Sequence, residues 1–225
     1  LLHFVKPVFD RRVFFKTCTN GSSELMTNLS MSLVNALYNL QLMKIAGENG
    51  VAAYGAVMYV NFIFVATFLG YAIGCAPVIS YHYGAGNHAE LKNLYKKSMS
   101  IILVWGVILF GAAQLLAPVL SKIFVGYNTG LYAMTLHGFR VYAIAFLIIG
   151  INIFGSSFFT ALNNGLISAV ISFLRTLMFQ VIMVLTLPLW FGINGIWSAI
   201  SVAEALTLIM TTTFFVRQKD KYHYL

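Results

Sequence analysis

Charge is what this sequence has least of. Aspartate, glutamate, lysine and arginine together make up 9% of its 225 residues, against 60% hydrophobic residues. That balance excludes a disordered chain and lies far from an ordinary soluble domain. Cysteine is nearly absent too. Cys18 precedes the first apolar run and Cys75 lies inside the second, which argues against a disulfide framework and offers no metal-ligand spacing. P-loop, H-E-x-x-H and G-x-S-x-G signatures are missing, and the five histidines are scattered. Neither ATP hydrolysis nor bond cleavage has the residues it needs. We expect no enzyme activity and no cofactor, and any uphill movement of a solute would draw on an ion gradient.

The few charges are biased in sign, 14 basic against 6 acidic, for a net +8. Nucleic acid is not the expected partner, because the basic residues sit in short polar segments between long apolar runs. Membrane topology explains that placement. Six runs are long enough to cross a ~30 Å hydrocarbon core as helices, at about residues 21–45, 51–83, 98–120, 140–162, 166–187 and 195–216. The fold class expected is therefore all-α integral membrane, with six transmembrane helices in a lipid bilayer. Residues 1–19, with Lys6, Arg11, Arg12 and Lys16 among phenylalanines, read as a cytoplasmic interfacial segment. Residues 217–225 form a basic cytoplasmic tail, and 121–137 a polar connection. Ten basic residues fall on the side of the two termini and three near the opposite loops, so both ends are expected in the cytoplasm of a plasma-membrane protein. The chain starts at Leu1 without a signal peptide, and a fragment of something longer is expected.

Gly47-Glu48-Asn49-Gly50 is a turn of helix breakers. The run after it, about 50 Å long as a straight helix, must tilt, bend or project. Gly70 and Gly74 suggest close approach of another helix and Pro77 a kink. Asn87 with Glu90 three residues on resembles a capping box.

Two places carry polar chemistry inside the apolar runs. In the first helix Glu24, Asn28, Met31, Asn35 and Tyr38 recur at spacings of four and three, with Asn39 beside them. They fall on one stripe. Hydrocarbon offers such groups no hydrogen-bond partner, so the stripe faces protein or a water-filled cavity. Each asparagine alone is equally well read as an interhelical packing contact. With a carboxylate at its head, the stripe is read as cavity lining, with Tyr38, Met31, Met58 and Phe62 as a greasy wall. The second place is Glu204, nine residues past Gly195 and so about 14 Å into its helix. An ionisable group at that depth is a functional candidate by default. Burial disfavours its charged form and a nearby cation favours it, the balance an ion-responsive switch requires. Arg175 and Gln180 lie in the fifth run. Arg175 can snorkel, hold a carbonyl, or pair with a carboxylate, for which Glu24 has the matching depth.

The sequence resembles the multidrug and toxic compound extrusion (MATE) transporters. The likeness is carried by Asn20-Gly21-Ser22-Ser23-Glu24-Leu25, by 47–55 (GENGVAAYG), by Gly74-Cys75-Ala76-Pro77 and by Tyr83-Gly84-Ala85-Gly86. At the end, 187–199 (LPLWFGINGIWSA) and Ala203-Glu204 continue it. The resemblance implies one six-helix lobe, the C-terminal one, of a two-lobed transporter with a central cavity. It implies export of amphipathic or cationic small molecules against sodium ions or protons, with Glu24 and Glu204 as coupling positions. Asn28, Met31, Asn35, Tyr38, Asn39 and Gln180 would line the cavity, with Arg175 as an ion-pair partner. A missing N-terminal lobe or a homodimer partner is implied as well. Two rival readings are a flippase of lipid-linked oligosaccharides, which would need more arginine and lysine than Arg175 and Arg140, and a non-transporting membrane partner subunit.

Overall fold

The computed structural model describes residues 9–224, except the side chains of Asn20, Ser23, Glu24 and Met26. Residues 1–8, the first part of the expected interfacial segment, lie outside the described residues, as does Leu225. Every element described is helical: α1 (Arg11–Gly84), α2 (His88–Val125), α3 (Thr129–Tyr142), α4 (Phe146–Ala161), α5 (Gly165–Phe173), α6 (Phe179–Phe191) and α7 (Ile193–Tyr222). A 3-10 turn joins α3 to α4 and a π-helical turn, Leu174–Met178, joins α5 to α6. Each joined pair is one continuous apolar rod, Thr129–Ala161 and Gly165–Phe191.

Among the described residues five helices are long and apolar enough to cross a bilayer, and the first of them, Thr27–Gly84, has 58 residues. A straight helix of that length would reach about 87 Å, far more than any bilayer core. Gly47 divides it. Its backbone (φ 61°, ψ −154°) is the only non-helical one in α1, a conformation that a Cβ opposes. The division makes a hairpin. Tyr38 and Tyr54 stack with ring centroids 4.9 Å apart, whereas sixteen residues of unbroken helix would separate them by about 24 Å. Six spans result. Gly47→Ala should cost about 1–3 kcal/mol, while Gly55→Ala, in regular helix with open space around a new Cβ, should be neutral or mildly stabilising. Thermal unfolding of the two variants in detergent checks this, and equal melting temperatures would refute the assignment of the hinge.

The helices outrun the expected spans. The stretch 11–19 continues into the first span without a break, and α7 carries on to Tyr222. The polar connection expected at 121–137 shrinks to 126–128, because α2 runs to Val125 and α3 starts at Thr129. Leu131, Thr135, Phe139 and Tyr142 are buried along one stripe of α3, a helical period that glycine and polar residues between them conceal. The cap at Asn87 forms half of the expected box. Its Oδ1 accepts from Glu90 N–H at 3.1 Å, while the Glu90 carboxylate accepts from the Asn93 amide instead. Pro77 sits inside α1 with helical geometry around it. Among the described residues no helix uses Gly70 or Gly74 for close approach, since a Cβ on either would meet nothing within 4 Å. Close approaches fall at other glycines: a Cβ on Gly106 would lie 3.0 Å from the Phe146 carbonyl oxygen, and Cβ atoms on Gly138, Gly150 and Gly155 would meet the side chains of Trp197, Phe68 and Thr211 more closely still.

α4 is the hub. Eleven of its sixteen residues are buried, so it is surrounded rather than amphipathic, with Phe146, Phe154, Phe158 and Phe159 filling the centre. The outer faces remain apolar and exposed, as at Leu115 (80%) and Ile123 (70%), which suits contact with lipid. At one end the chain closes on itself. Tyr222 stacks edge-on with Tyr83 and accepts from Asn164 Nδ2 at 3.0 Å, and the buried Tyr224 donates to the Phe215 carbonyl at 2.8 Å.

Candidate functional site: a charged centre beside a membrane-depth cavity

Glu204 sits in mid-α7 with 1% of its side chain exposed. A carboxylate in that position must have every lone-pair direction answered by a donor or by water. Two spans supply the donors. Arg175 Nε donates to Oε1 at 2.9 Å. Asn152 Nδ2, from α4, donates to Oε2 at 2.7 Å and to the Glu204 main-chain carbonyl at 2.9 Å. Asn152 thereby fixes both the acid and the stretch of backbone that carries it.

Arg175 reaches the acid from an irregular turn. In the segment Leu174–Met178 the Phe179 N–H bonds to the Leu174 carbonyl, an i→i+5 link in place of i→i+4. The extra residue in that turn changes the direction in which Arg175 leaves the helix. Next to it Thr176 folds its hydroxyl back onto the Ser172 carbonyl at 2.7 Å. Below, Ser156, Ser168, Ser172 and Thr160 join α4 to α5 through hydroxyl contacts of 2.6–2.9 Å.

The charged centre forms one wall of a cavity of about 220 Å³. Its opposite walls come from the α1 hairpin. Met31, Asn35 and Tyr38 line it from before Gly47, and Tyr54, Met58, Asn61 and Phe62 from after. Tyr54 donates to Asn35 Oδ1 at 3.2 Å, which ties the two arms together at the cavity. Gln180 joins the lining from α6, and Arg175 and Glu204 both contribute. Asn28 and Asn39 do not. Both are exposed and lie outside the lining. The inward face of the first arm is centred on Thr27, Met31, Val34 and Tyr38 with Asn35 at its edge, and at about 100° per residue Asn28 and Asn39 lie roughly 20–40° farther round than Asn35. The side chain of Glu24 lies outside those described.

Of the roles open to Arg175, the structure shows the pairing with a carboxylate, and the partner among the described residues is Glu204. Asn152 is the residue that sequence reasoning passed over, although a lone carboxamide in the run 140–162 is a legible signal of a buried partner. Among the described residues no cluster of three or more histidine, cysteine, aspartate or glutamate side chains exists that could hold a metal ion.

The whole lobe has the shape of half of a known transporter. It superposes on an outward-facing multidrug resistance MATE family transporter of the MOP superfamily with a TM-score of 0.86 and 19% identity, covering 98% of this chain and 50% of that one. An inward-facing MATE family structure gives 0.84 and 19%, with 96% and 50% covered. A MOP superfamily transporter from Pyrococcus furiosus gives 0.86 and 19%, with 96% and 49% covered. At this identity the likeness establishes the fold. The chain spans about half the length of these solved transporters. No curated protein matches it in sequence. The MatE family profile matches residues 25–186, more than half of the chain, and with the shared lobe architecture this shows that the chain belongs to the MatE family.

Proposed function

We propose that this chain is the C-terminal lobe of an ion-coupled antiporter that exports amphipathic or cationic small molecules against sodium ions or protons. The observation that carries the reading is the carboxylate of Glu204, held by Arg175 and Asn152 in the wall of a cavity at membrane depth. Such a centre has two charge states for an ion to choose between, and its three groups belong to three different spans. A change in the carboxylate's charge therefore alters contacts between helices, the kind of differential interaction that biases two conformations. The solved transporters are about twice as long as this chain, and a missing N-terminal lobe or a second copy would supply the other half of a central cavity. The basic residues on the side of the termini support a plasma-membrane setting with both ends in the cytoplasm.

The flippase reading finds less support. A pyrophosphate would need several cations, and the cavity lining contains one, Arg175, already paired with Glu204. Reconstitution of the full-length protein in vesicles tests the proposal. A cationic dye should be expelled when a sodium or a pH gradient is imposed and should remain without one. Equal dye movement with and without either gradient would overturn it.

A further inference from the structure

Two polar stripes meet behind the charged centre. On α4 Asn152, Ser156 and Thr160 recur every fourth residue, and Ser168, Ser172 and Thr176 do the same along α5 and the π turn. Each set falls on one side of its helix. Thr160 Oγ1 lies 2.6 Å from Ser168 Oγ, Ser168 Oγ 2.9 Å from Ser156 Oγ, and Ser156 Oγ 2.8 Å from Ser172 Oγ. Four hydroxyls thus form an unbroken chain, and in each contact either oxygen can donate. The main-chain carbonyls of Ser156 and Ser168 give Ser156, Ser168 and Thr160 second acceptors. Those three can keep a bonded O–H while the chain reverses its polarity. The lower end adjoins the turn 162–164, on the side of the termini, where Asn164 bonds Tyr222. At the upper end Ser156 is one turn from Asn152, whose Nδ2 holds Glu204. Beside that step two atoms, Asn152 Oδ1 and Thr211 Oγ1, are buried with no partner among the described residues. Both residues have 0% exposure, and Thr211 packs on Gly155, next to Ser156. Buried polar atoms of this kind call for water.

We infer that the ion coupled to export is the proton, and that it leaves Glu204 for the cytoplasm along this hydroxyl chain, with water at Asn152 and Thr211 as the first link. The inference rests on the exporter reading and chooses between the two ions which that reading leaves open. The proton reaches Glu204 from the cavity, whose other titratable groups are Arg175 and the phenols of Tyr38, Tyr54 and Tyr142. On discharge the carboxyl O–H bond breaks and the proton passes to the water. Each oxygen down the chain then accepts one proton and gives up its own, and Thr160 releases one at the inner turn. The carboxylate returns to Arg175, and rotation of the hydroxyls restores the starting polarity. A metal cation lacks this route. It needs a shell of oxygens turned towards one point, and these hydroxyls are engaged with one another and with carbonyls.

The test uses the full-length protein in vesicles, with ethidium as the exported cation and a pH gradient as the drive, in H2O and in D2O. Ser156→Ala removes the link that joins Ser168 to Ser172, and Ser172→Ala removes the upper end. Each should slow ethidium movement about tenfold, the effect on a rate of losing roughly one hydrogen bond to the moving proton. The ratio of rates in H2O and D2O should rise above the wild-type ratio in both, because proton transfer has become the slow step. Ser156→Thr, which restores a hydroxyl, should return most of the rate. Thr213→Ala, which deletes an exposed α7 hydroxyl outside the chain, should match the wild type. Ethidium binding without a gradient should be the same in every variant. A seam that only holds α4 to α5 would lower the melting temperature of the alanine variants and leave the isotope ratio in place, a result that overturns the inference. Ethidium movement at the wild-type rate in either alanine variant, or movement that a sodium gradient alone drives, overturns it too, and the exporter reading then stands. Ethidium that neither gradient moves in the wild type overturns the exporter reading itself, and this inference with it.

Discussion

Arg175→Gln is expected to destabilise the lobe by about 3–5 kcal/mol, because it leaves a buried carboxylate without its cation. Glu204 has 1% exposure and its second oxygen is already committed to Asn152, so it has no ready route to water. Glu204→Gln should cost less. The carboxamide keeps one oxygen that can accept from Arg175 or from Asn152, it leaves no buried charge unpaired, and Arg175, 14% exposed at the cavity wall, can reach water. The double variant, with both charges gone, should be milder than Arg175→Gln alone, since replacing an entire buried pair is often close to neutral. Thermal unfolding of the four proteins in detergent completes the cycle, and the two residues should show a coupling well above the ~0.5 kcal/mol scatter of independent sites. Additive losses would mean that the 2.9 Å contact has no energetic counterpart.

Glu204→Gln in the full-length protein should lower gradient-driven export by a factor of about ten or more, since a loss of about 1.4 kcal/mol of transition-state interaction is already tenfold. Insertion and folding should be retained. The substitution preserves shape and keeps one acceptor for Arg175 or Asn152, so the charge is what it chiefly removes. Glu204 is the one acidic side chain in the cavity lining among the described residues, and a neutral amide cannot exchange a proton or hold a metal cation as a carboxylate can. Glu204→Asp should keep part of the coupling. Export at the wild-type rate from Glu204→Gln would remove this residue from the mechanism.

Much of the lobe was legible in the sequence, for identifiable reasons. Long uncharged runs admit few structures other than membrane spans, and a Gly-Glu-Asn-Gly sequence inside such a run signals the hinge that Gly47 makes. The polar stripe of the first arm was legible to within one residue. Periodicity placed Met31, Asn35 and Tyr38 on a common face, but it could not say on which side of that face the cavity centre lies, so Asn28 and Asn39 were carried along. α3 was hidden because its buried stripe, Leu131 to Tyr142, is diluted by glycine and polar residues.

The partner of Arg175 was beyond sequence reasoning for a different cause. Depth alone fits more than one acid, and the choice of Glu204 depends on the π turn at Leu174–Met178. One extra residue in a helical turn leaves no local pattern. It forms where tertiary packing demands it. Asn152 belongs to an intermediate case, since its carboxamide in an apolar run was visible while its two bonds to Glu204 require the fold.

The account depends on the first arm of α1 and the charged centre facing one aqueous space. Cysteine accessibility measures this most directly. In a full-length protein freed of Cys18 and Cys75, Asn35→Cys should react readily with a water-soluble methanethiosulfonate, and an exported substrate should slow the reaction. Leu115→Cys, on the greasy outer surface of α2, should stay inert throughout. An unreactive Asn35→Cys, or one whose reaction ignores substrate, would contradict the cavity on which the function rests.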